Sequence, residues 1–507
     1  VEGGAPFTNE GAGGEIYGTI TYMVASPHQA GELWVGTDDG RVWVTRNEGG
    51  DWTEITPNDM GEKLVNAIEV SPSNPGTAYL AVTNYKFDDF TPEAYRTTDY
   101  GSSWERIGDD FGTNEFVRVI REDPERPEVL YGGTERGLYL SFDGGDSWEK
   151  PRFNLPDVPI LDLIIADNDL IVATSGRAFW VLDDLGALQQ TGGDMPDALT
   201  IFEPKPTYRY TLSSGGGMEA GEGQNAASGV TFDYYLTTEM DSMELTLMVL
   251  DDNDEVIRQF SSKPKKGKSW PGGPPAPTAL PTEEGLNRFS WDLRHETLPP
   301  VDGIFVLGDY RGGLAAPGTY TLRLATPEDT VITKVDVLAD PNLNASAQEY
   351  AAQEAILTGA EEAARDIHRS VNRLRRVRTQ VKALNENLTE MSGTDELVAK
   401  GKDIIQRITE WEENLIQPNQ KTFQDVVNFP NRLNAEFMNL KSRVDGPVPV
   451  VTQGAKARLE ELQSDWRNYR QVLDRIIDED VAGYNATYRE LDLPAIIIPP
   501  ADEETMR

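Results

Sequence analysis

The fold of the first 190 residues is decided by three short segments: TRNEGGDW (45–52), TTDYGSSW (97–104) and SFDGGDSW (141–148). They share the pattern Ser/Thr-x-Asp/Asn-x-Gly-x-x-Trp, and each contains one side chain that can accept hydrogen bonds within its own turn. Glycine allows a positive φ there, and tryptophan can pack between neighbouring sheets. Nine residues are therefore assigned structural roles: Asn47, Gly49, Trp52, Asp99, Gly101, Trp104, Asp143, Gly145 and Trp148.

Short β-rich runs surround these turns and repeat with them. Two runs precede the first turn, at 32–37 and 41–45, and similar pairs precede the other two. A fourth unit, 160–184, has the runs but lacks the turn. Four-stranded units that repeat about every 45–50 residues are typical of β-propeller blades. Residues 1–190 are therefore predicted to form four blades.

The rest of the chain changes pattern twice, so a multidomain protein is predicted. Short alternating runs after residue 229 favour an immunoglobulin-like (Ig-like) β-sandwich. Apolar residues at a period of 3.6 then favour an all-α, up-and-down bundle with helices over 346–388, 395–416, 423–444 and 452–477. The predicted segments are a connecting strand and Gly-rich linker (191–229), the sandwich (230–340), the four-helix bundle (341–490) and an extended tail (491–507).

Composition excludes several classes of function. The 85 acidic and 46 basic residues give a net charge of −39, which would repel the phosphates of nucleic acids. The chain has no cysteine and three histidines, which argues against thiolate chemistry and a histidine-based metal site, so no cofactor is predicted. Oxygen-rich loops at Asp88–Asp89 and 251–254 could still bind Ca²⁺. No apolar run approaches the length of a transmembrane helix.

The three turns resemble the Asp boxes of sialidases, oligoxyloglucanases and the sortilin ectodomain. Four segments resemble more closely a bacterial family of Asp-box (BNR) repeat β-propeller proteins, labelled sortilin-like or glycosyl hydrolase: GTDDG (36–40), TTDYG (97–101), GTERGLYLSFDGG (133–145) and SGRAFWVLDD (175–184). The resemblance continues through the remaining chain. It implies an extracytoplasmic protein (periplasmic, cell-surface or secreted) with further blades before residue 1, but no particular activity.

Candidate site residues lie on the turns between the second and third strands of each blade. All four turns should project to the propeller face opposite the Asp boxes. The candidates for catalysis are Asp38, Asp39, Asp88, Asp89 and Glu135, because paired carboxylates about 5–10 Å apart can hydrolyse glycosides. The candidates for ligand binding are Tyr85, Asp88, Asp89, Tyr95, Arg136, Arg177 and Trp180. Alternatively, 38–40 and 135–137 are ordinary polar hairpin turns.

These features predict an extracytoplasmic recognition or assembly protein that binds a glycan, peptide or protein through that face. One alternative is a glycoside hydrolase with its carboxylates at the propeller mouth, and another is a subunit of a cell-envelope complex. A sialidase needs three arginines that bind the substrate carboxylate, together with a Tyr–Glu pair. Sialidase activity is disfavoured because this segment offers Arg136 and Arg177 but no convincing third arginine or Tyr–Glu pair. An open set of blades should also expose apolar sheet faces, so the predicted partners are further blades, from the same precursor or a second subunit.

Overall fold

The computed structural model describes residues 18–210, 227–240, 243–265, 267, 269–389 and 391–491. The chain divides into two compact units, residues 1–196 (unit one) and 197–507 (unit two). Most of the predicted Gly-rich linker and nearly all of the predicted extended tail lie outside the described residues. Across the described ranges, no helix combines the length and apolarity needed to cross a membrane.

The described residues of unit one form four antiparallel sheets whose strands follow one another in sequence order. Sheet 1 consists of β1 (Ile20–Ala25), β2 (Leu33–Thr37), β3 (Val42–Thr45) and β4 (Thr53–Glu54). Sheet 2 consists of β5 (Leu64–Val70), β6 (Ala78–Asn84), β7 (Asp89–Thr97) and β8 (Glu105–Ile107). Sheet 3 consists of β9 (Val117–Glu122), β10 (Leu130–Thr134) and β11 (Gly137–Ser141). Sheet 4 consists of β12 (Ile160–Ala166), β13 (Asp169–Thr174) and β14 (Phe179–Leu182), and α1 (Gly186–Thr191) follows it.

The four sheets pack face to face in the order of the sequence, a propeller-like arrangement. The first strands of successive sheets, β1, β5, β9 and β12, lie next to one another. One apolar core fills the space between sheets 1 and 2, and a second joins sheets 2, 3 and 4. Sheets 3 and 4 have three strands where four were predicted. In sheet 3 the fourth strand is reduced to one bridge, Leu140 to Glu149, because Pro151 has no N–H to continue the ladder.

Each of the three repeated turns (45–52, 97–104 and 141–148) is closed by its own side chains. In the second turn, Asp99 Oδ1 accepts hydrogen bonds from Ser103 N (2.9 Å) and Thr97 Oγ1 (2.9 Å). Gly101 has φ +78° and donates its N–H to the same Thr97 hydroxyl, at 2.9 Å. The hydrogen bonds from the side chain and backbone of Ser103 lower the pKa of Asp99 below its usual value. The first and third turns have the same bonding pattern around Asn47 and Asp143.

The turns also join each sheet to the one before it. Trp104 donates its indole N–H to the carbonyl of Ile55, which follows β4 in sheet 1, at 2.6 Å. Trp148 is buried against Phe111, with ring centroids 4.7 Å apart. Trp52, the tryptophan of sheet 1, is 42% exposed. Burial of the tryptophan therefore depends on a preceding sheet.

Unit two begins with two sheets that share one apolar core. A three-stranded sheet has the order β15 (Thr200–Ile201), β17 (Val230–Leu236) and β20 (Gly285–Trp291). A five-stranded sheet has the order β16 (Thr207–Arg209), β22 (Thr330–Ala339), β21 (Gly318–Ala325), β18 (Thr246–Leu250) and β19 (Val256–Ser261). β15 and β16 lie in the segment predicted as a connector, and both pair with later strands.

A helical region follows within the same unit. Its helices are α2 (Ala347–Leu388), α3 (Asp395–Leu415), α4 (Leu433–Val444), α5 (Gln453–Arg475) and α6 (Ala482–Glu490). Ser346 and Glu349 form a capping box at the start of α2. The predicted helix over 423–444 is wrong at its beginning, where a short 3₁₀ helix (Phe423–Val427) is separated from α4. Pro430 interrupts the helical hydrogen bonds there, and Phe423 is exposed.

A buried polar junction connects loops of the two-sheet domain to the helices. Arg209 donates to Ala315 O (2.8 Å) and to Gln353 Oε1 of α2 (2.8 Å). Glu361 of α2 accepts the N–H of Gly313 at 2.5 Å. Lys441 of α4 donates to the carbonyl of Arg311. Each of these ionisable side chains has a hydrogen-bond partner in the interior, as buried polar groups require.

Candidate functional site

Asp38 and Asp39 have structural hydrogen bonds. Asp38 Oδ1 accepts the backbone N–H groups of Gly18 and Thr19, both at 2.8 Å, and so connects the β2–β3 turn to the chain before β1. Asp39 accepts the hydroxyl hydrogen of Thr37, two residues earlier. The bond of Asp39 favours the interpretation of 38–40 as a polar turn.

The loop between β6 and β7 carries most of the candidate side chains. It contains a 3₁₀ turn (Tyr85–Phe87) that ends at Asp88, whose φ is +62°. Asp89 Oδ1 accepts Thr91 N at 3.1 Å, and Oδ2 accepts Asn84 Nδ2 at 3.3 Å. Hydrogen bonds from Thr91 lower the pKa of Asp89. A lowered pKa suits a binding or stabilising carboxylate better than a general acid.

Aromatic rings from two sheets meet beside this loop. Tyr85 stacks on Phe116 with centroids 5.1 Å apart, and Phe90 lies 6.1 Å from the same ring. The Arg118 guanidinium lies 4.9 Å above the Phe116 ring. Glu135 accepts from Arg118 Nε (2.9 Å) and Nη2 (2.6 Å). We call Tyr85, Phe87, Phe90, Phe116, Arg118 and Glu135 the aromatic cluster.

The aromatic cluster is partly open to solvent. Phe87 is 51% exposed and Phe90 is also exposed, whereas Phe116 is buried beneath Tyr85. The sequence pattern identified Tyr85 and Glu135 but missed Phe116 and Arg118. These two residues flank the start of β9, which lies on the same edge as the β6–β7 loop, and that position is the signal that could have identified them.

The remaining candidates lie elsewhere. Tyr95 was predicted to bind ligand, but its side chain is 1% exposed and donates to Glu93 inside the core of sheets 1 and 2. It is therefore removed from the candidates. Arg136 and Arg177 are exposed on separate turns, and the Arg177 carbonyl accepts the Trp180 indole N–H at 3.1 Å.

A second polar group lies on the first strands of the sheets, where the sequence predicted none. Arg121 of β9 contacts Tyr22 Oη of β1 (3.1 Å), Glu69 Oε2 of β5 (3.3 Å) and Asp162 Oδ1 of β12 (2.7 Å). We call these four residues the axial cluster. Burial raises the pKa of Glu69 to about 7, although Arg121 opposes the shift. A carboxylic acid with this pKa beside a second carboxylate can serve in glycoside hydrolysis.

The structure provides no assembled metal site in the part it describes. Within those ranges, no three His, Asp or Glu side chains converge in a way that could hold a metal ion. In the 251–254 loop, Asp251 Oδ1 accepts Asn253 N (3.0 Å) and Glu255 N (2.8 Å). That carboxylate is therefore used in closing its own turn.

Comparison with known proteins connects the chain to xyloglucanases. No family model matches it. A xyloglucanase from a Paenibacillus species is 27% identical over 156 residues, which are 28% of this chain and 15% of the relative. An oligoxyloglucan-reducing end-specific xyloglucanase from Emericella nidulans is 27% identical over 113 residues, 22% of this chain and 14% of the relative. The chain is thus distantly similar to xyloglucanases and matches a small part of their length.

Solved structures give only weak likenesses. YCF48 bound to a D1 peptide has a TM-score of 0.27 and 18% identity, covering 33% of this chain and 52% of that one. A GH74 xyloglucanase from Xanthomonas campestris has a TM-score of 0.28 and 14% identity, covering 63% and 44%.

Proposed function

We propose that unit one binds a glycan of the xyloglucan type on the aromatic cluster. The observation that carries this proposal is the pair of exposed rings, Phe87 and Phe90, beside the Tyr85–Phe116 stack. Sugar rings present C–H faces that pack on aromatic rings, while their hydroxyls need polar partners. The Arg118–Glu135 pair supplies a donor and an acceptor at the edge of the stack. The similarity to xyloglucanases supports the choice of glycan over peptide.

The site predicts which side chains matter for binding. Tyr85→Ala and Phe87→Ala should each weaken binding of xyloglucan oligosaccharides about tenfold, because loss of one aromatic contact costs about 1.4 kcal/mol or more. Isothermal titration calorimetry measures the affinity. Phe153→Ala is the matched control. Phe153 is also a partly exposed aromatic ring, but it lies in the segment after β11 and is not part of the aromatic cluster. Equal affinities for wild type and the Tyr85 variant would disprove the proposal.

Hydrolysis is the second candidate, and the raised pKa of Glu69 favours it. Glu69 and Asp162 approach the same guanidinium, so their carboxylates are neighbours within the axial cluster. New reducing ends in the same titration mixtures would reveal turnover. Hydrolysis that persists in the Glu69→Gln variant would show that the axial cluster is not the catalytic site. The relatives' names describe hydrolases, so this reading has at least as much support as binding alone.

Two further proposals concern location and domain type. A polysaccharide of this kind does not enter the cytoplasm, which supports an extracytoplasmic location. The two-sheet domain of unit two has mostly antiparallel strands around one core, and this supports the immunoglobulin-type assignment. The bonding of the Asp-box turns supports the relation to BNR-repeat proteins.

We also propose that further sheets of the same repeat cover the outer faces of sheets 1 and 4. On sheet 4, Ile164, Ile171 and Val181 lie in one cross-strand row, and Phe179 beside them is 74% exposed. On sheet 1, Met23 is exposed. Trp52 adds an independent argument, because its counterparts Trp104 and Trp148 rest on a preceding sheet. Apolar sheet faces of this kind favour association.

The mass of the native particle tests this proposal. Light scattering should give more than the 56.1 kDa of one chain, and mass spectrometry should identify a companion polypeptide or a second copy. Val181→Asp should reduce the assembly by charging the outer face of sheet 4. A stable 56.1 kDa monomer with no companion would disprove it.

A further inference from the structure

A small cavity lies at the end of sheet 2, beside the aromatic cluster. It has a volume of about 30 Å³, and its lining includes Asp38, Leu64, Thr83, Asn84, Tyr85 and Phe87. Tyr85 and Phe87 also belong to the aromatic cluster, so a ligand that packs on those rings lies next to the cavity. We call this cavity the threonine pocket.

Thr83 gives the threonine pocket a buried hydroxyl. The residue is 1% exposed, and among the described residues its Oγ1 has no hydrogen-bond partner. A buried hydroxyl without a partner is unfavourable, because it has lost its hydrogen bonds to water and gained none in exchange. A polar group that enters the pocket would supply the missing partner.

The other walls of the pocket are apolar or already bonded. Leu64 lies opposite Thr83 in the β5–β6 ladder, and side chains paired in this way lie on the same face of the sheet. Asp38 Oδ1 accepts two backbone N–H groups, and Asn84 Nδ2 donates to Asp89 Oδ2 at 3.3 Å. The pocket thus combines an apolar wall with one hydroxyl that needs a partner.

The volume of the pocket limits what can enter it. A cavity needs about 10–15 Å³ to hold one water molecule. The threonine pocket, at about 30 Å³, therefore has room for a small group such as a hydroxymethyl but not for a sugar ring.

We propose that the threonine pocket receives the hydroxymethyl group of a hexose whose ring packs on the aromatic cluster. The methylene contacts Leu64, and the hydroxyl forms a hydrogen bond with Thr83 Oγ1, since hydroxyls both donate and accept. A xylose ring lacks this group and leaves Thr83 without a partner. Sites that hydrogen-bond a ligand hydroxyl discriminate against an analogue that lacks it. The pocket adds hexose specificity to the proposed function, on which this inference rests.

Cellotetraose and xylotetraose are the probes that test the proposal. They have the same linkage and differ only in the hydroxymethyl group that each glucose carries. Isothermal titration calorimetry on the full chain should show that cellotetraose binds about tenfold more tightly. Thr83→Val keeps the shape of the side chain and removes the hydroxyl. This variant should bind cellotetraose about as weakly as xylotetraose, and its affinity for xylotetraose should not change.

Thr97→Val is the matched control. Thr97 is also a buried threonine of sheet 2, but its hydroxyl closes the second repeated turn. Its loss should lower the Tm and leave the preference for cellotetraose intact. Thr83→Val should not lower the Tm, because the hydroxyl that it removes has no partner in the free chain.

The outcomes distinguish this inference from the proposed function. If the wild type binds both tetrasaccharides equally, or if Thr83→Val keeps the preference, the hexose specificity is wrong even when xyloglucan oligosaccharides bind. A lower Tm in Thr83→Val, or an equal loss of preference in Thr97→Val, would also overturn it. Absence of binding to all of these glycans would overturn the proposed function as well.

Discussion

Trp148→Ala is expected to lower the free energy of unfolding by about 3–5 kcal/mol, the usual loss for a large aromatic ring removed from a core. Trp148 is 6% exposed and packs on Phe111. A Cβ on Gly132 would lie 2.8 Å from the Trp148 ring, so the backbone of sheet 3 approaches the indole closely. The cavity left by alanine has little freedom to collapse. Denaturant unfolding followed by circular dichroism measures the change.

Trp52→Ala is the matched control for that substitution. Trp52 occupies the same position of the repeated turn but is 42% exposed, so its removal should cost less than about 1 kcal/mol in the chain alone. Equal losses at the two positions would mean that the sheet order does not determine burial. A loss below about 1 kcal/mol at Trp148 would contradict the packing of sheets 2 and 3.

Glu361→Gln is expected to remove one contribution to the free energy of unfolding that falls as the pH rises from about 4.5 to 7. Burial raises the pKa of Glu361 from 4.5 to about 7, so in this window the folded chain holds a proton that the unfolded chain releases. The contribution of Glu361 to stability therefore declines as the pH rises, whereas the contribution of His368, whose pKa burial lowers to about 4, changes in the opposite direction. The contribution of one such group is on the order of 3 kcal/mol. Glutamine cannot ionise, yet it keeps an oxygen for the Gly313 N–H.

Urea unfolding at several pH values measures this slope. Glu69 of the axial cluster has a pKa raised to about 7 by the same cause, so part of the slope should persist in Glu361→Gln. The double variant with Glu69→Gln should change the slope further in the same direction. Glu386→Gln, at an exposed position of α2, should leave the slope unchanged. An unaltered slope in Glu361→Gln would contradict the burial of this carboxyl at the junction.

Local chemistry made much of the fold predictable. The repeated turn is closed by bonds between residues two to four positions apart, such as Thr97, Asp99 and Gly101, so eight residues contain the partners that close it. The long helix α2 follows from its apolar period and its capping box, both of which lie within the helix and its first turn. The break before α4 also has a local cause, Pro430. The apolar pattern nevertheless predicted one continuous helix over 423–444.

The candidate site depended on contacts that no local pattern contains. Arg121 meets Tyr22, 99 positions earlier, and Asp162, 41 positions later, because four first strands lie side by side. Period-two alternation in a strand distinguishes one face from the other, but not which neighbour covers each face. For this reason Tyr95 was predicted to bind a ligand, whereas its side chain lies in the core.

The sequence by itself determined the repeated turns, the strand-rich and helical parts, and the excess of negative charge, because each depends on residue types or on short spacings. Only the tertiary structure decided which charged and aromatic side chains meet. Arg118 joins Glu135 above Phe116, and Arg470 of α5 donates to Asp366 of α2, because sheet and helix packing brings distant segments within a few ångströms. Electrostatic and stacking energies depend steeply on such distances, so the sites form only when the sheets and the helices pack together.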